Sequence, residues 1–163
     1  MKKGFTMIEL LVATSLFAVL SGIVSGSFIS IMKSQRSIVS FINANDNASF
    51  VFEQMVREIR TGSGFSVNRD ADELLFTNAR GIEVSYKYQD ETLKKSEARG
   101  EFNNLLSNDV IVKSLKFYLL GENPGDDLPT LVTMALRLKS GESSLEGLEI
   151  NLETSVTSRL LDL

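Results

Sequence analysis

Few residues in this chain have the chemistry that enzymes use. Its 163 residues include no Cys and no His, which removes thiolate nucleophiles, Cys-based zinc sites and the commonest general base. Carboxylates and lysines remain, but they form no recognisable catalytic arrangement. We therefore expect a protein that is not an enzyme and that binds no cofactor.

One acidic segment has the side chains of a calcium loop. It offers four oxygen ligands of the kind that Ca²⁺ prefers, from Glu122, Asn123, Asp126 and Asp127. Their spacing matches no EF-hand loop, and a solvated turn between two strands accounts for the same residues. We therefore predict no metal site.

The charge that stands out is a carboxylate in an apolar segment. Glu9 is the only charged residue between Gly4 and Met32. Burial in the apolar part of a membrane helix costs a carboxylate roughly 3 kcal/mol, and less near the interface. A cation about 4 Å away, at an effective dielectric of 20, would return about 4 kcal/mol. Cleavage after Gly4 would create such a cation, the Phe5 amine, on the same chain or on a neighbouring copy; otherwise Glu9 would snorkel to the headgroups or be protonated.

The segment that follows Glu9 is long enough to cross a membrane. Residues 10–32 form a run of 23 uncharged residues, and about 20 apolar residues span the ~30 Å hydrocarbon core. A secretory signal peptide has a shorter apolar region and then a small-residue cleavage site, whereas Lys33 and Arg36 follow this run. We expect a retained single-pass helix with a cytoplasmic N-terminus and an exported C-terminal region.

Two glycines give this helix a surface on which another helix could pack. Gly22 and Gly26 form a G-x-x-x-G spacing, and small residues on one face let helices approach closely in lipid. The spacing predicts packing of this segment against copies of itself.

Residues 2–13, KKGFTMIELLVA, resemble the class III signal of type IV pilins and of the pseudopilins of type II secretion. The matching features are a short basic leader ending in Gly4, the aromatic Phe5, and Glu9 as the fifth residue after the cut. The resemblance implies that a prepilin peptidase cleaves between Gly4 and Phe5 and that Phe5 is N-methylated. It also implies that Glu9 meets the Phe5 amine of an adjacent subunit during filament assembly.

The same resemblance implies a location and a set of partners. The helix would anchor the chain in the inner membrane, with the globular domain in the periplasm or outside the cell, and would then enter a type IV pilus or a type II secretion pseudopilus. The implied partners are other pilin or pseudopilin subunits, the prepilin peptidase, the inner-membrane assembly platform and membrane lipid. The layout is most similar to the J-type minor pseudopilin and its pilin counterparts, which implies a tip or initiation subunit.

Two other functions stay open at this point. The first is a pilin-anchored module that binds DNA or a surface, although a formal charge of −4 and scattered cations disfavour nucleic acid. The second is a single-pass anchored enzyme or sensor unrelated to filaments. An intact N-terminus and an inert Glu9 would favour the second alternative.

The chain divides into four parts: a leader at residues 1–4, a transmembrane and filament-core helix at 5–32, an amphipathic continuation at 33–60, and a β-rich domain at 61–163. The continuation has apolar residues at spacings of three and four, which are Ile38, Phe41, Ile42, Ala48, Phe52, Met55, Val56 and Ile59. Residues 43–47 are weak helix formers, so a break there is an alternative.

The β-rich domain shows alternating apolar and polar residues after Gly64. The predicted strands are Glu73–Thr77, 82–88, a short strand within 91–108, Val110–Leu120, 131–139 and 148–158. A turn at 78–81 and loops at 121–129 and 141–147 connect them. Short connections favour antiparallel pairing, so we predict an α+β, pilin-like fold in which one face of an antiparallel sheet packs on the helix.

Overall fold

The computed structural model describes residues 4–121, 129–141 and 149–159. The leader residues Met1, Lys2 and Lys3 lie outside the described residues. So do most of the two predicted loops, including the acidic segment with Asp126 and Asp127.

The first element is one helix, α1, from Met7 to Arg60. At 1.5 Å per residue its 54 residues span about 81 Å. It starts two residues later than predicted because Thr6 is the N-cap, with extended backbone angles (φ −82°, ψ 152°). We call residues 7–32 the lower half of α1 and residues 33–60 the upper half.

The helix runs without interruption through residues 43–47, so the alternative of a break there is wrong. Ala44 and Ala48 are buried against the strands, and the Asn47 side-chain oxygen accepts a hydrogen bond from the Ser107 backbone N–H at 3.2 Å. Tertiary contacts therefore compensate for the weak helix propensity of this stretch.

The buried face of the upper half differs in part from the predicted one. Ile38 and Ile42 are each 49% exposed, so they do not belong to the face that packs on the strands. Ala48, Phe52, Met55 and Ile59 are buried as predicted. The buried residues that the periodicity argument omitted are Ser37, Ala44 and Val51. The helix thus has apolar side chains on more than one face.

The helix ends where the predicted stop signal lies, and a strand that was not predicted begins at once. Thr61 is the C-cap, and Gly62 packs so tightly that a Cβ there would lie 2.6 Å from Cδ2 of Phe76. The strand β1, Ser63–Val67, contains Gly64 at φ +65° beside a break in its pairing register. A glycine in a β-bulge explains why this strand has no regular alternation.

In the described part of the chain, eight strands form two antiparallel sheets rather than the single sheet that was predicted. The first sheet has the order β1-β2-β3-β4-β5, and the second has the order β6-β7-β8. After β1 the strands are β2 Glu73–Thr77, β3 Glu83–Gln89, β4 Thr92–Glu97, β5 Asn103–Asn104, β6 Val110–Leu120, β7 Leu131–Ser140 and β8 Ile150–Thr157. The α+β class and the antiparallel pairing are confirmed.

The core lies between the upper half of α1 and the two sheets. The helix backbone approaches β7 and β8 most closely, while β6 contacts the strands of the first sheet. Stacked rings of Phe65, Phe76 and Tyr86 cross β1, β2 and β3, with ring centroids 5.5 and 6.0 Å apart. At the far end, Arg159 donates its backbone N–H to the Arg60 carbonyl at 2.9 Å, so the end of β8 is tied to the end of the helix.

Candidate functional site

The predicted assembly residue, Glu9, forms a capping box with Thr6. The Glu9 Oε2 atom accepts hydrogen bonds from the Thr6 backbone N–H at 2.9 Å and from the Thr6 hydroxyl at 2.8 Å. In return, the Thr6 hydroxyl oxygen accepts from the Glu9 backbone N–H at 3.2 Å. These reciprocal bonds satisfy donors that a helix N-terminus otherwise leaves unpaired. The carboxylate therefore has a role within its own helix, beside any role in assembly.

Sequence reasoning missed Thr6 as a site residue, although the signal was present. A Ser or Thr followed three residues later by Glu, just before an apolar run, is the capping-box pattern, and Thr6-Met7-Ile8-Glu9 matches it. Thr6 thus fixes the rotamer of Glu9 and the point at which the helix begins.

The predicted cleavage site lies in non-helical backbone immediately before this cap. Gly4 and Phe5 are both exposed, Phe5 to 82%, and a Cβ on Gly4 would touch no atom within 4 Å. The peptide bond between them is therefore accessible to a protease.

The structure does not pair Phe5 with Glu9, since the described hydrogen bonds of the Glu9 carboxylate go to Thr6. The Phe5 nitrogen is nevertheless the backbone nitrogen immediately before that of Thr6, which Glu9 contacts. An amine freed there by cleavage would lie near the carboxylate of its own chain, and a contact with a neighbouring subunit stays a prediction.

The lower half of α1 has no partner within the described chain. α1 is long and apolar enough to cross a membrane, and its most apolar window contains no buried residue. Two of its hydroxyls, those of Thr14 and Ser15, are satisfied locally because they donate to the Leu11 carbonyl. Beyond Glu9, this half of the helix therefore presents an uncharged apolar surface that lipid or other helices must cover.

Gly22 and Gly26 lie on this uncovered surface. A Cβ at either position would meet no atom within 4 Å, so neither glycine is required by a contact inside the chain. Their predicted role in packing against another helix stays a prediction.

The junction between helix and sheets contains a group of charged and aromatic side chains. Glu58 on α1 accepts a hydrogen bond from the Tyr86 hydroxyl at 2.5 Å and pairs with Lys95 at 2.7 Å. Lys95 also pairs with Glu97 at 2.8 Å. These contacts connect the helix to β3 and β4.

The pKa values of this group follow from its burial and pairing. Burial and the Glu58 carboxylate raise the pKa of the Tyr86 hydroxyl, so this phenol stays protonated. Burial opposes the charged form of Lys95, but Glu58 and Glu97 outweigh it and raise the Lys95 pKa. A protonated phenol and a paired ammonium indicate a structural clamp rather than acid–base chemistry. Among the described residues, no cluster of carboxylates is close enough to hold a metal ion.

Comparison with known proteins bears on the N-terminus. Residues 1–25 match the family model described as the prokaryotic N-terminal methylation motif. No curated protein and no solved structure gave a match to the chain. The match and the long apolar helix together support a type IV pilin-like prepilin N-terminus with a membrane-anchoring segment.

Proposed function

We propose that this chain is a structural subunit of a type IV pilus or a type II secretion pseudopilus and that it is not an enzyme. In this proposal a prepilin peptidase cuts between Gly4 and Phe5, Phe5 is N-methylated, and the mature chain is anchored in the inner membrane. The globular domain lies on the periplasmic side. The subunit then joins a filament through the lower half of α1.

The observation that carries the proposal is the coincidence of two features on one helix. The methylation motif covers residues 1–25, and from Met7 onward that stretch is an exposed apolar helix without a partner among the described residues. The upper half of that helix is packed on the sheets. A long helix that carries a domain at one end and is uncovered at the other has a form suited to assembly. Its uncovered half can pass from lipid into a bundle of like helices while the domain stays outside.

Glu9 has a specific part in this proposal. Its Oε2 already accepts two hydrogen bonds from Thr6, so its rotamer is set before any subunit arrives. The carboxylate would then meet the methylated amine of Phe5, from its own chain in the membrane and from an adjacent chain in the filament. A preorganised acid reduces the ordering cost of forming that contact.

The experiment that tests this role separates helix capping from charge pairing. Glu9→Ala removes both functions, whereas Thr6→Ala removes the cap and leaves the carboxylate. We expect Glu9→Ala to abolish recovery of the subunit in sheared filaments and Thr6→Ala to reduce it severalfold at most, since loss of an N-cap costs about 1 kcal/mol. Equal loss in the two variants would assign Glu9 to capping alone and would remove the main support for the assembly contact.

The proposal extends to a minor position at the filament tip, supported only by the layout of the helix and strands. Quantitative mass spectrometry of purified filaments would test it by counting this chain against the most abundant subunit. We expect a few copies per filament. Equal abundance would contradict a minor role and would leave the filament proposal intact.

A further inference from the structure

A cleft opens where the upper half of α1 leaves the predicted membrane and meets the domain. Its volume is about 450 Å³, and it lies between one face of the helix and the segment that leads into β6. Its apolar wall includes Met32 and Val39, and its polar groups include Gln35 and Asn43. Two side chains of opposite charge, Arg36 and Asp109, also line it.

The depth of the cleft follows from the helix. The uncharged run ends at Met32, which lies at or near the edge of the hydrocarbon core. Arg36 lies four residues further on, about 6 Å along the axis. The headgroup region adds roughly 5–7 Å on each side of the core. The mouth of the cleft and the Arg36 side chain therefore lie at the depth of lipid headgroups.

Asp109 lies further from the membrane than Arg36. The residue after it, Val110, pairs with Ser140, and the Ser140 hydroxyl is hydrogen-bonded to that of Ser40 on α1. This places Asp109 near the level of Ser40, about one helical turn beyond Arg36. Counted outward from the hydrocarbon core, the cleft thus presents a cation and then an acid.

These two charges are available to a ligand. Both side chains are exposed, and neither appears in an ion pair within the part of the chain that the structure describes. They line the same cleft without an ion pair between them, so their charged atoms lie more than 4.0 Å apart.

We propose that this cleft binds the phosphoethanolamine headgroup of a membrane phospholipid. The phosphate lies on Arg36, the primary ammonium donates to Asp109, and the first carbons of the acyl chains contact Met32 and Val39. A headgroup of this class carries its phosphate nearer the acyl chains and its ammonium further out, which matches the order of the two charges. The proposal rests on the membrane anchoring in the proposed function and not on filament assembly.

The test uses the full chain released from membranes in mild detergent, with bound lipid counted by native mass spectrometry. Phosphatidylethanolamine, phosphatidylcholine and phosphatidylglycerol with identical acyl chains are supplied in equal amounts. We expect phosphatidylethanolamine to be retained about tenfold over the other two, because a choline group has no N–H to donate and a glycerol group has no charge. Equal retention of the three lipids would overturn the proposal.

Single substitutions assign the two halves of the headgroup. Arg36→Gln should lower retention of phosphatidylethanolamine about tenfold, and Asp109→Asn should remove the preference for it over phosphatidylcholine. Lys33→Gln is the matched control for Arg36→Gln, since Lys33 borders the membrane but does not line the cleft. Asp46→Asn is the control for Asp109→Asn, because Asp46 is an exposed acid on α1 that does not line the cleft.

The controls also decide between occupants. If Lys33→Gln reduced retention as much as Arg36→Gln, attraction would be to the interface in general and the cleft would not be a site. If a second copy of the chain filled the cleft, Arg36→Gln would lower dimer content and leave bound lipid unchanged, which also contradicts the proposal. Soluble glycerophosphoethanolamine in excess should not displace the lipid, because it lacks the acyl contacts.

Failure of this test is distinguishable from failure of the proposed function. The lipid count is made on single chains, so it is insensitive to whether Glu9 supports assembly. Conversely, an assembly defect in Glu9→Ala would stand whether or not the cleft retained lipid.

Discussion

The two halves of α1 are equally helical and are stabilised by different partners. In the lower half no residue is buried, and side chains such as Leu16 and Phe17 are 61% and 72% exposed. In the upper half Met55 and Ile59 are fully buried against the strands. One continuous element therefore belongs to a folded domain at one end and to an environment outside the chain at the other.

This difference shows that apolar composition alone does not identify a core. Burial of an apolar side chain contributes about 25 cal/mol per Å² removed from water, and the upper half obtains this from β-strands of its own chain. The lower half can obtain it only from lipid or from other helices. The same physical requirement thus makes one half of the helix a structural part of the domain and leaves the other half with an apolar surface that lipid or other helices must cover.

The largest expected difference between the two halves comes from truncating one apolar side chain in each of them. Met55→Ala should lower the free energy of unfolding of the domain by about 3 kcal/mol, since a fully buried Met leaves a cavity. Leu16→Ala should leave domain stability unchanged, because Leu16 contacts nothing in the domain. Thermal unfolding in mild detergent, followed by tyrosine near-UV circular dichroism, measures both. A comparable loss in Leu16→Ala would contradict the division of the helix into two halves.

Two glycines, one in the lower half of α1 and one just past the end of the upper half, give a second, smaller contrast. Gly62→Ala, just past the end of the upper half, should cost about 1–3 kcal/mol, because the new methyl group would lie 2.6 Å from the buried Phe76 ring. Gly26→Ala in the lower half meets no atom within 4 Å, and we expect no loss of domain stability. The same unfolding measurement compares the two variants; a neutral Gly62→Ala would show that Phe76 can move.

The smallest expected effect is a dependence of domain stability on pH, which arises from the ion pairs beside the upper half of α1. Lys95 holds the pKa of Glu97 below its usual value near 4.5, so the contribution of this pair is present above that value and is lost as the pH falls through the lowered pKa. Lys95→Met removes this pair together with the pair to Glu58. Since Glu97 is 42% exposed, its share of the loss of stability at neutral pH should be at most about 1 kcal/mol.

The measurement is the melting temperature of the domain at a series of pH values from about 7 down to about 3. The wild-type chain should lose its advantage over Lys95→Met as the medium becomes acidic. Lys33→Met, a cation outside the clamp, should follow the wild-type curve at every pH. Parallel curves for wild type and Lys95→Met would show that the pair does not contribute to stability.

Much of the fold could be predicted because its signals are local. The bounds of β2 and β6 agree with the predicted strands, since apolar alternation and turn residues define both. β1 was missed because Gly64 and the bulge beside it interrupt the alternation. The division into two sheets was missed because strand order depends on contacts between distant residues, which short connections do not specify.

The buried face of the upper half of α1 was predicted wrongly in part, and the reason is physical. Ile38 and Ile42 were assigned to the core because they are apolar, yet they are half exposed, while Ser37 and Ala44 are buried. A helix that also faces lipid or other subunits has apolar residues on several faces, so periodicity cannot select the one that packs on its own domain.

The residues of the N-terminal site came from a sequence motif, and their roles in cleavage, methylation and assembly stay predictions. Gly4, Phe5 and Glu9 followed from a motif with fixed spacing, and the methylation-motif match covers all three. The capping role of Thr6 depends on where the helix begins, which the apolar pattern did not show. The pairing of Glu9 with the Phe5 amine requires a cleaved chain, so it stays a prediction.

The most direct test of the central claim is the mass of the N-terminal peptide of the chain isolated from native membranes or filaments. We predict a peptide that begins at Phe5 and carries one extra methyl group on its amine. A peptide that begins at Met1, with the leader intact, would contradict processing at Gly4 and with it the proposed entry of this helix into a filament.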